Sequence, residues 1–131
     1  MMLNPGIKGT ASVTVTADNT AAAMGSGELN VFATPALAAL VEKACWQSVA
    51  AELEPGSGTV GTNLNLAHTA PTPVGMTVRC DCELTAVEGR KLTFSAVLSD
   101  DCGEVGHAVH ERFIIQNDRF QKKADSKKSA Q

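Results

Sequence analysis

The chain has 131 residues, a net charge of −3 and an apolar fraction of 44%, which are ordinary values for one globular domain with a buried core. The acidic balance gives no indication of a nucleic-acid partner. The absence of a run of about 18 apolar residues excludes a transmembrane helix, and the amino terminus lacks the pattern of a secretory signal. We therefore expect a single cytoplasmic domain spanning residues 1–131.

The amino-terminal third predicts a strand, a loop and a long helix. Residues 9–17 are rich in Val and Thr, which favour a strand. Residues 18–30 have no clear periodicity and predict a loop with about one helical turn. A helix is then predicted from Pro35 to Leu53, with Thr34 as its N-cap and Glu54-Pro55-Gly56 as its stop signal.

Apolar residues occupy nearly the whole circumference of this helix, which is typical of a buried helix. Glu42 lies on an otherwise apolar face, where an unpaired carboxylate is costly. We therefore expect Glu42 either to pair with an inward Lys, Arg or His or to take part in chemistry.

The following strand, residues 60–68, also carries a polar residue in phase with apolar ones. The face that alternation predicts to be inward consists of Val60, Thr62, Leu64, Leu66 and His68. His68 is thus predicted to point towards the helix, where it can meet Glu42.

Three further alternating strands are predicted at residues 76–87, 90–99 and 104–116, with turn signals between them. The inward residues of the first two are Met76, Val78, Cys80, Cys82, Leu84, Ala86, Leu92, Phe94, Ala96 and Leu98. The remaining Lys-rich segment, 119–131, predicts a flexible, solvated basic tail.

The four cysteines, Cys45, Cys80, Cys82 and Cys102, contain no CxxC pair and are predicted to be buried free thiols. His107 and His110 fall on opposite faces of the last strand, so they do not form a metal-binding pair. We expect neither a metal nor a cofactor.

The predicted order is a strand, a loop, a long buried helix and four strands joined by hairpins. One antiparallel sheet wrapped around one helix satisfies this order, which is the α+β hotdog fold. Because the edge strands of such a sheet need covering, we expect a homodimer that can pair further into a tetramer.

Several short motifs, taken in order, resemble the fluoroacetyl-CoA thioesterase-like family of hotdog thioesterases. The motifs are Phe32-Ala33-Thr34, Leu40-Val41-Glu42-Lys43-Ala44-Cys45, Leu53-Glu54-Pro55-Gly56, Val60-Gly61-Thr62, His68-Thr69-Ala70, Thr72-Pro73, Gly75-Met76-Thr77-Val78, Val87-Glu88-Gly89-Arg90 and His110-Glu111-Arg112. They extend over roughly residues 30–116.

The resemblance implies a thioesterase that acts on an acyl-CoA substrate. The positions of the family's catalytic constellation are filled by Thr34, Glu42 and His68. The residues that it implies to contact the substrate are Phe32, Pro35, Gly61, Thr62 and Thr69.

The segment from Thr20 to Leu29 departs from the family, because it lacks the aromatic residues that the fluoroacetyl-selective enzymes carry in a lid before the helix. We therefore favour a general hydrolase of short- or medium-chain acyl-CoA. Two alternatives stay open at this point. One is a non-catalytic domain that binds an acyl-CoA or another small molecule, and the other is a hotdog dehydratase or hydratase.

Overall fold

The structure, a computed structural model, describes residues 3–129. In chain order the described elements are β1 (Lys8–Thr14), α1 (Ala21–Met24), α2 (Thr34–Val49), a 3₁₀ turn (Ala50–Glu52), β2 (Ser57–His68), β3 (Thr77–Glu88), β4 (Lys91–Asp100), β5 (Gly103–Gln116), α3 (Asn117–Asp125) and a second 3₁₀ turn (Ser126–Lys128). The predicted strands and the helical turn before α2 are all present. Their ends differ from the prediction by a few residues, where helices and strands are least constrained by pattern.

The strands form one antiparallel sheet in the order β1-β3-β4-β5-β2. Hairpins join β3 to β4 and β4 to β5, but β2 pairs with β5 and not with β3. The prediction that hairpins join all four later strands is therefore wrong for β2 and β3. The connection of residues 69–76 carries the chain across to the other side of the sheet, where β3 pairs with β1. This order leaves β2 as an edge strand.

The sheet wraps around α2, and the core lies between them. Alternation predicted the inner residues of β3 and β4 correctly for Val78, Cys80, Cys82, Leu84, Leu92, Phe94, Ala96 and Leu98, all of which are buried. The helix contributes buried Leu37, Leu40, Val41, Ala44, Cys45 and Val49. An antiparallel sheet curled around one helix is the α+β hotdog fold that the sequence predicted.

One side of α2 is left uncovered, and it includes Trp46, which the pattern of a nearly all-round apolar helix predicted to be buried. Trp46 is 45% exposed, and Lys43 and Gln47 are also exposed. Because Trp46 follows Glu42 by four residues, the two side chains lie on the same side of the helix. A large apolar side chain therefore remains open to solvent beside Glu42.

A local irregularity in β2 reverses its two faces. The pairing of β2 with β5 shifts between Gly61 and Asn63, as at a β-bulge. His68 keeps its predicted inward position, but Thr62 is exposed and Gly61 faces α2 instead. The prediction that Val60 and Thr62 share the inward face is wrong, because one extra residue shifts the alternation by one position.

The segment expected to be a solvated tail contains helix α3 and a 3₁₀ turn. Asp118 lies in the first turn of α3, and Lys122 and Lys123 lie in its last turn. This charge order complements the helix dipole. Gln121 also donates a hydrogen bond to Asp125 at 3.1 Å. The last two residues of the predicted tail, 130–131, lie outside the described residues.

Cys45, Cys80 and Cys82 are buried free thiols as predicted, whereas Cys102 is exposed in the turn between β4 and β5. Within residues 3–129 no helix has the length and apolar character needed to cross a membrane. The same part of the chain holds no cluster of His, Cys, Asp or Glu suited to a metal ion.

Candidate active site

Thr34 is the first residue of α2 and does not cap the helix. The N-cap position belongs to Ala33, which makes no side-chain capping bond. The Thr34 Oγ1 atom lies 2.8 Å from Nδ1 of His68, a hydrogen-bond distance. The prediction of Thr34 as the N-cap is therefore wrong, since its hydroxyl is engaged by the imidazole at the end of β2.

The Thr34–His68 pair lines an open cleft of about 300 Å³. The other residues of the cleft are Ala21, Ser26, Val31, Phe32, Thr69, Ala70 and Pro71. Phe32 and Thr69, two of the predicted substrate contacts, thus share one cavity with Thr34 and His68. Pro35 is exposed and lies outside the cleft lining.

The start of α2 adds hydrogen-bond donors at this end of the cleft. The first backbone N–H groups of a helix have no acceptor within the helix, and they carry the positive end of its dipole. Thr34, which lines the cleft, contributes one such N–H, whereas Pro35 has none. The cleft therefore combines a hydroxyl, an imidazole and backbone donors.

Glu42 belongs to a second polar cluster further along the helix. It follows Thr34 by eight residues, which corresponds to about 12 Å of helix rise. Its carboxylate accepts a hydrogen bond from Arg112 Nη1 at 3.5 Å, and the Glu42 side chain is 47% exposed while that of Arg112 is 7% exposed.

The hypothesis that Glu42 pairs with an inward basic residue is confirmed. The expectation that Glu42 is buried is wrong. The Arg112 contact covers only part of the side chain, so one side of the carboxylate stays open to solvent.

Arg112 is fixed by hydrogen bonds that involve all three of its nitrogens. Its Nε donates to Thr59 Oγ1 at 2.7 Å and its Nη2 donates to the Thr59 carbonyl at 2.8 Å. Its Nη1 lies 3.1 Å from Nε2 of His110. A guanidinium held along its whole fork presents a donor to Glu42 in one fixed direction.

The protonation state of His110 follows from its two neighbours. Its Nδ1 lies 2.8 Å from the Asn63 carbonyl oxygen, and since a carbonyl only accepts, Nδ1 carries the proton. The Nε2 atom is then free to accept from Arg112. Burial, chiefly, and the charge of Arg112 lower the pKa of His110 from its usual value, although the bond to Asn63 opposes this. The imidazole is therefore neutral.

Sequence reasoning missed Arg112 and His110 as parts of the site: it noted both within a family motif, and otherwise considered His110 only as a metal ligand. One signal was present, because both residues fall on the inward face of β5, in phase with Ala108. Two polar side chains in a buried register require partners. The separation of 70 residues between Arg112 and Glu42 hides which partner that is.

The absence of a side chain at Gly61 leaves room for the Glu42 carboxylate. A Cβ atom at this position would lie 2.8 Å from Glu42 Oε2, 3.1 Å from His110 Cε1 and 3.3 Å from Arg112 Nη1. The nearest of these contacts is shorter than van der Waals distance, so a methyl group must displace the carboxylate. Glycine therefore sets the position of Glu42.

The family resemblance implies that Glu42 is a catalytic residue, so we expect Gly61→Ala to lower kcat by roughly 10- to 100-fold, the size of effect that a displacement of about 1 Å at a reacting group has. Steady-state kinetics on an acyl-CoA substrate would measure the change. In a Glu42→Gln background the same substitution should have little further effect, because the displaced carboxylate is already gone. Full activity of Gly61→Ala, or an equal loss in both backgrounds, would contradict this role.

The predicted site residues thus fall into two groups within the chain. Thr34 and His68 meet in the cleft, and Glu42 meets Gly61 and Arg112 nearer the middle of β2. The hydroxyl of Thr62 donates to the Glu111 carbonyl at 3.2 Å, and the residue is exposed. The predicted meeting of Glu42 with His68 does not occur within the chain, since His68 contacts Thr34 and Glu42 contacts Arg112.

Comparison with known proteins gives consistent results. A family profile described as "FlK: Fluoroacetyl-CoA-specific thioesterase" matches residues 15–118. The fluoroacetyl-CoA thioesterase of Streptantibioticus cattleyicolor is 42% identical over 100 residues, which cover 76% of this chain and 72% of the relative.

Solved structures agree with the sequence matches. The structure of the fluoroacetyl-CoA thioesterase FlK has a TM-score of 0.90 and 34% identity, with 97% of this chain and 98% of that chain covered. A thioesterase superfamily member from Thermus thermophilus has a TM-score of 0.88 at 20% identity, with 98% and 97% covered, and shows the fold alone. The chain belongs to the fluoroacetyl-CoA thioesterase (FlK) family of hotdog-fold thioesterases.

Proposed function

We propose that this thioesterase hydrolyses short- and medium-chain acyl-CoA to the free acid and coenzyme A, with Thr34, Glu42 and His68 as its catalytic residues. The observation that carries the proposal is the 2.8 Å contact between Thr34 Oγ1 and His68 Nδ1 in an open cleft at the start of α2. This pair lies beside free backbone N–H groups in a chain of the FlK family.

The reaction needs attack on the thioester carbonyl, stabilisation of the oxyanion and departure of the CoA thiolate. The Glu42 carboxylate either takes a proton from the attacking water, or attacks the carbonyl directly to give a mixed anhydride that water then hydrolyses to the free acid and the carboxylate. Backbone N–H groups at the start of α2, that of Thr34 among them, would donate to the oxyanion. His68, oriented by Thr34, delivers a proton to the leaving sulfur.

Within one chain, Glu42 lies apart from Thr34 and His68, and this separation supports a site shared between the two subunits of a homodimer. β2 is an edge strand of 12 residues with an unpaired side. Antiparallel pairing of two β2 strands over residues 61–68 would set His68 opposite Gly61 of the partner subunit. Since Gly61 abuts Glu42, the partner subunit's Glu42 would then lie beside Thr34 and His68.

Two further features support an assembly. Trp46, on the Glu42 side of α2, is 45% exposed, and large exposed apolar side chains mark interaction surfaces. Val97 and Val109 are exposed on the outer face of the sheet, a second surface through which dimers would pair into a tetramer. The free thiols of the described chain are compatible with a reducing, cytoplasmic location.

The substrate range follows from the loop that closes one side of the cleft. The loop before α2 contributes Ala21 and Ser26 to the cleft lining. Among the described residues that line the cleft, Phe32 is the only one with a phenyl or indole ring. Such an open site discriminates weakly, since one methylene is worth about 1–3 kcal/mol even in a good hydrophobic pocket. Selective recognition of a two-carbon fluorinated acyl group is therefore not expected.

A panel of acyl-CoA substrates with a thiol reagent tests the proposed function. We expect release of free CoA, with kcat/KM for acetyl-, butyryl- and longer acyl-CoA level or rising with chain length. The kcat/KM for fluoroacetyl-CoA should exceed that for acetyl-CoA only by the difference in their intrinsic electrophilicity. The relative rates of non-enzymatic hydrolysis of the two thioesters by hydroxide give that reference ratio. A preference about 1,000-fold above that reference would contradict an open pocket, because binding differences of one small group are normally far smaller.

The same panel separates the alternatives. Binding of acyl-CoA without release of CoA would identify a non-catalytic binding domain. Hydration of an enoyl-CoA with the thioester intact would identify a hydratase. Either result would contradict the proposed hydrolysis.

A further inference from the structure

A groove lined by basic and aromatic residues lies between the end of β5 and helix α3, away from the catalytic residues. We define this basic groove by Arg90, Phe113, Arg119, Phe120, Lys122 and Lys123. It consists of two cavities of about 500 Å³ and about 460 Å³ that share Gln116 and Arg119. The proposed mechanism uses none of these residues.

The charge of the groove differs from that of the whole molecule. The chain carries a net charge of −3, yet four cationic side chains line the groove against a single carboxylate, that of Asp118. Within residues 3–129 none of the four cations makes an ion pair with an acidic side chain. Their charges are therefore available to an anionic ligand.

The groove also presents aromatic surface. Phe113 and Phe120 are 37% and 41% exposed. The guanidinium of Arg90 lies 5.6 Å from the centre of the Phe113 ring, a cation–π contact that orients both side chains. A planar base can stack on such rings while phosphates pair with the surrounding cations.

The groove is suitably placed relative to Glu42. Ser57 lines it, and Gly61, four residues along β2, abuts the Glu42 carboxylate. Four residues of strand span about 13 Å. The pantetheine arm of coenzyme A joins the reacting sulfur to the diphosphate through an extended chain of comparable length. The length of β2 between the groove and Gly61 is therefore of the same order as the arm that one bound ligand would extend around the edge of the sheet.

We propose that the basic groove binds the 3′-phosphorylated ADP part of the acyl-CoA substrate, in the subunit that supplies Glu42. This inference rests on the proposed function, since it assigns the nucleotide end of the same substrate. Arg119 and Lys123 pair with phosphates, and Phe120 supports the adenine. The groove then contributes to substrate binding and not to the chemical step.

A comparison of substrates with and without the nucleotide tests this assignment. The double variant Arg119→Ala/Lys123→Ala should raise KM for butyryl-CoA roughly three- to ten-fold with kcat nearly unchanged, since exposed charge contacts are individually weak. KM for butyryl-pantetheine, which lacks the nucleotide, should stay the same. Butyryl-dephospho-CoA should show a smaller effect of the variant if the 3′-phosphate is among the contacts.

The matched control is Lys127→Ala/Lys128→Ala, which removes the same charge from the 3₁₀ turn after α3 without touching the groove lining. It should leave KM for butyryl-CoA close to that of the unmodified protein. An equal KM increase in the control, or an equal effect of the groove variant on butyryl-pantetheine, would overturn the proposal. So would no effect on either substrate.

Direct binding separates this proposal from the proposed function. Adenosine 3′,5′-bisphosphate should bind the unmodified protein in calorimetry and bind the groove variant more weakly. If this binding is observed but no thioester is hydrolysed, the proposed thioesterase activity is refuted and the proposed nucleotide-binding site is retained. Hydrolysis without any binding of the bisphosphate, or with groove-dependent binding of oligonucleotides alone, would refute the nucleotide site.

Discussion

Glu42→Gln is expected to lower kcat/KM for acyl-CoA hydrolysis by at least about 100-fold, because acid–base groups contribute roughly 10²–10⁴ to rate. Glutamine keeps the shape of the side chain and can still accept a hydrogen bond from Arg112, the one cation within 4.0 Å of the carboxylate in the described residues. It can neither take a proton from water nor attack the carbonyl. The loss therefore measures the carboxylate chemistry rather than packing.

His68→Ala is expected to have an effect of similar size. The imidazole is the hydrogen-bond partner of Thr34 at 2.8 Å, so its removal also releases the hydroxyl. Steady-state kinetics with butyryl-CoA and a thiol reagent would measure both variants, with circular dichroism as the check on folding. A folded variant of either kind that retains near-normal turnover would refute the site assignment.

Lys43→Gln supplies a matched control for the glutamate substitution. Lys43 adjoins Glu42 in sequence and is exposed on α2, and it makes no ion pair within residues 3–129. Its replacement changes the charge on the same helix without touching the polar cluster around Arg112. Near-normal activity in this variant would show that the Glu42→Gln loss is specific.

Mixing the two inactive variants is expected to restore about one quarter of normal activity, provided that each site combines residues from both subunits of a two-fold dimer. After random subunit exchange, half of the dimers contain one Glu42→Gln chain and one His68→Ala chain. In each such dimer one site has both replacements and the other has neither. A site contained within one subunit would regain nothing, because each chain carries one defect.

Random subunit exchange requires brief partial unfolding, and light scattering should then give a mass near twice 13.6 kDa. A Lys43→Gln chain mixed with a His68→Ala chain is the control, since its activity reports only the intact subunits. A mass near 13.6 kDa would contradict the dimer. A stable dimer without recovery would contradict the shared site.

Residue patterns alone were sufficient to predict the helix and the strands, and to identify polar residues that lie on otherwise apolar faces. The alternation in β3 and β4 predicted which side chains face the core, because burial on one face imposes a period of two along a strand. Glu42 and His68 were noticed for the same reason, as polar residues at positions whose neighbours are apolar. The family motifs then supplied Thr34 and the thioester substrate.

The misplaced features all depend on contacts between distant residues. Thr34 has the chemistry of an N-cap, but His68, 34 residues away, engages its hydroxyl instead. The bulge at Gly61 inserts one residue against β5 and reverses the face of Thr62. Neither feature can be recognised from the neighbouring residues in sequence, since the partner, His68 in one case and β5 in the other, lies elsewhere in the chain.

By itself, the sequence determined the helix, the strands, most of the core residues and the presence of two unusual polar residues. These features are readable because burial of one face imposes a regular spacing of apolar residues along each helix or strand. Only the tertiary structure decided the strand order, the Arg112–His110 support for Glu42, and the separation of Glu42 from His68 within the subunit. It also decided that α3 packs against the end of β5 to form the basic groove. These features arise from pairings across up to 70 residues, and the free energy of each pairing depends on a geometry that exists only once the sheet has closed around the helix.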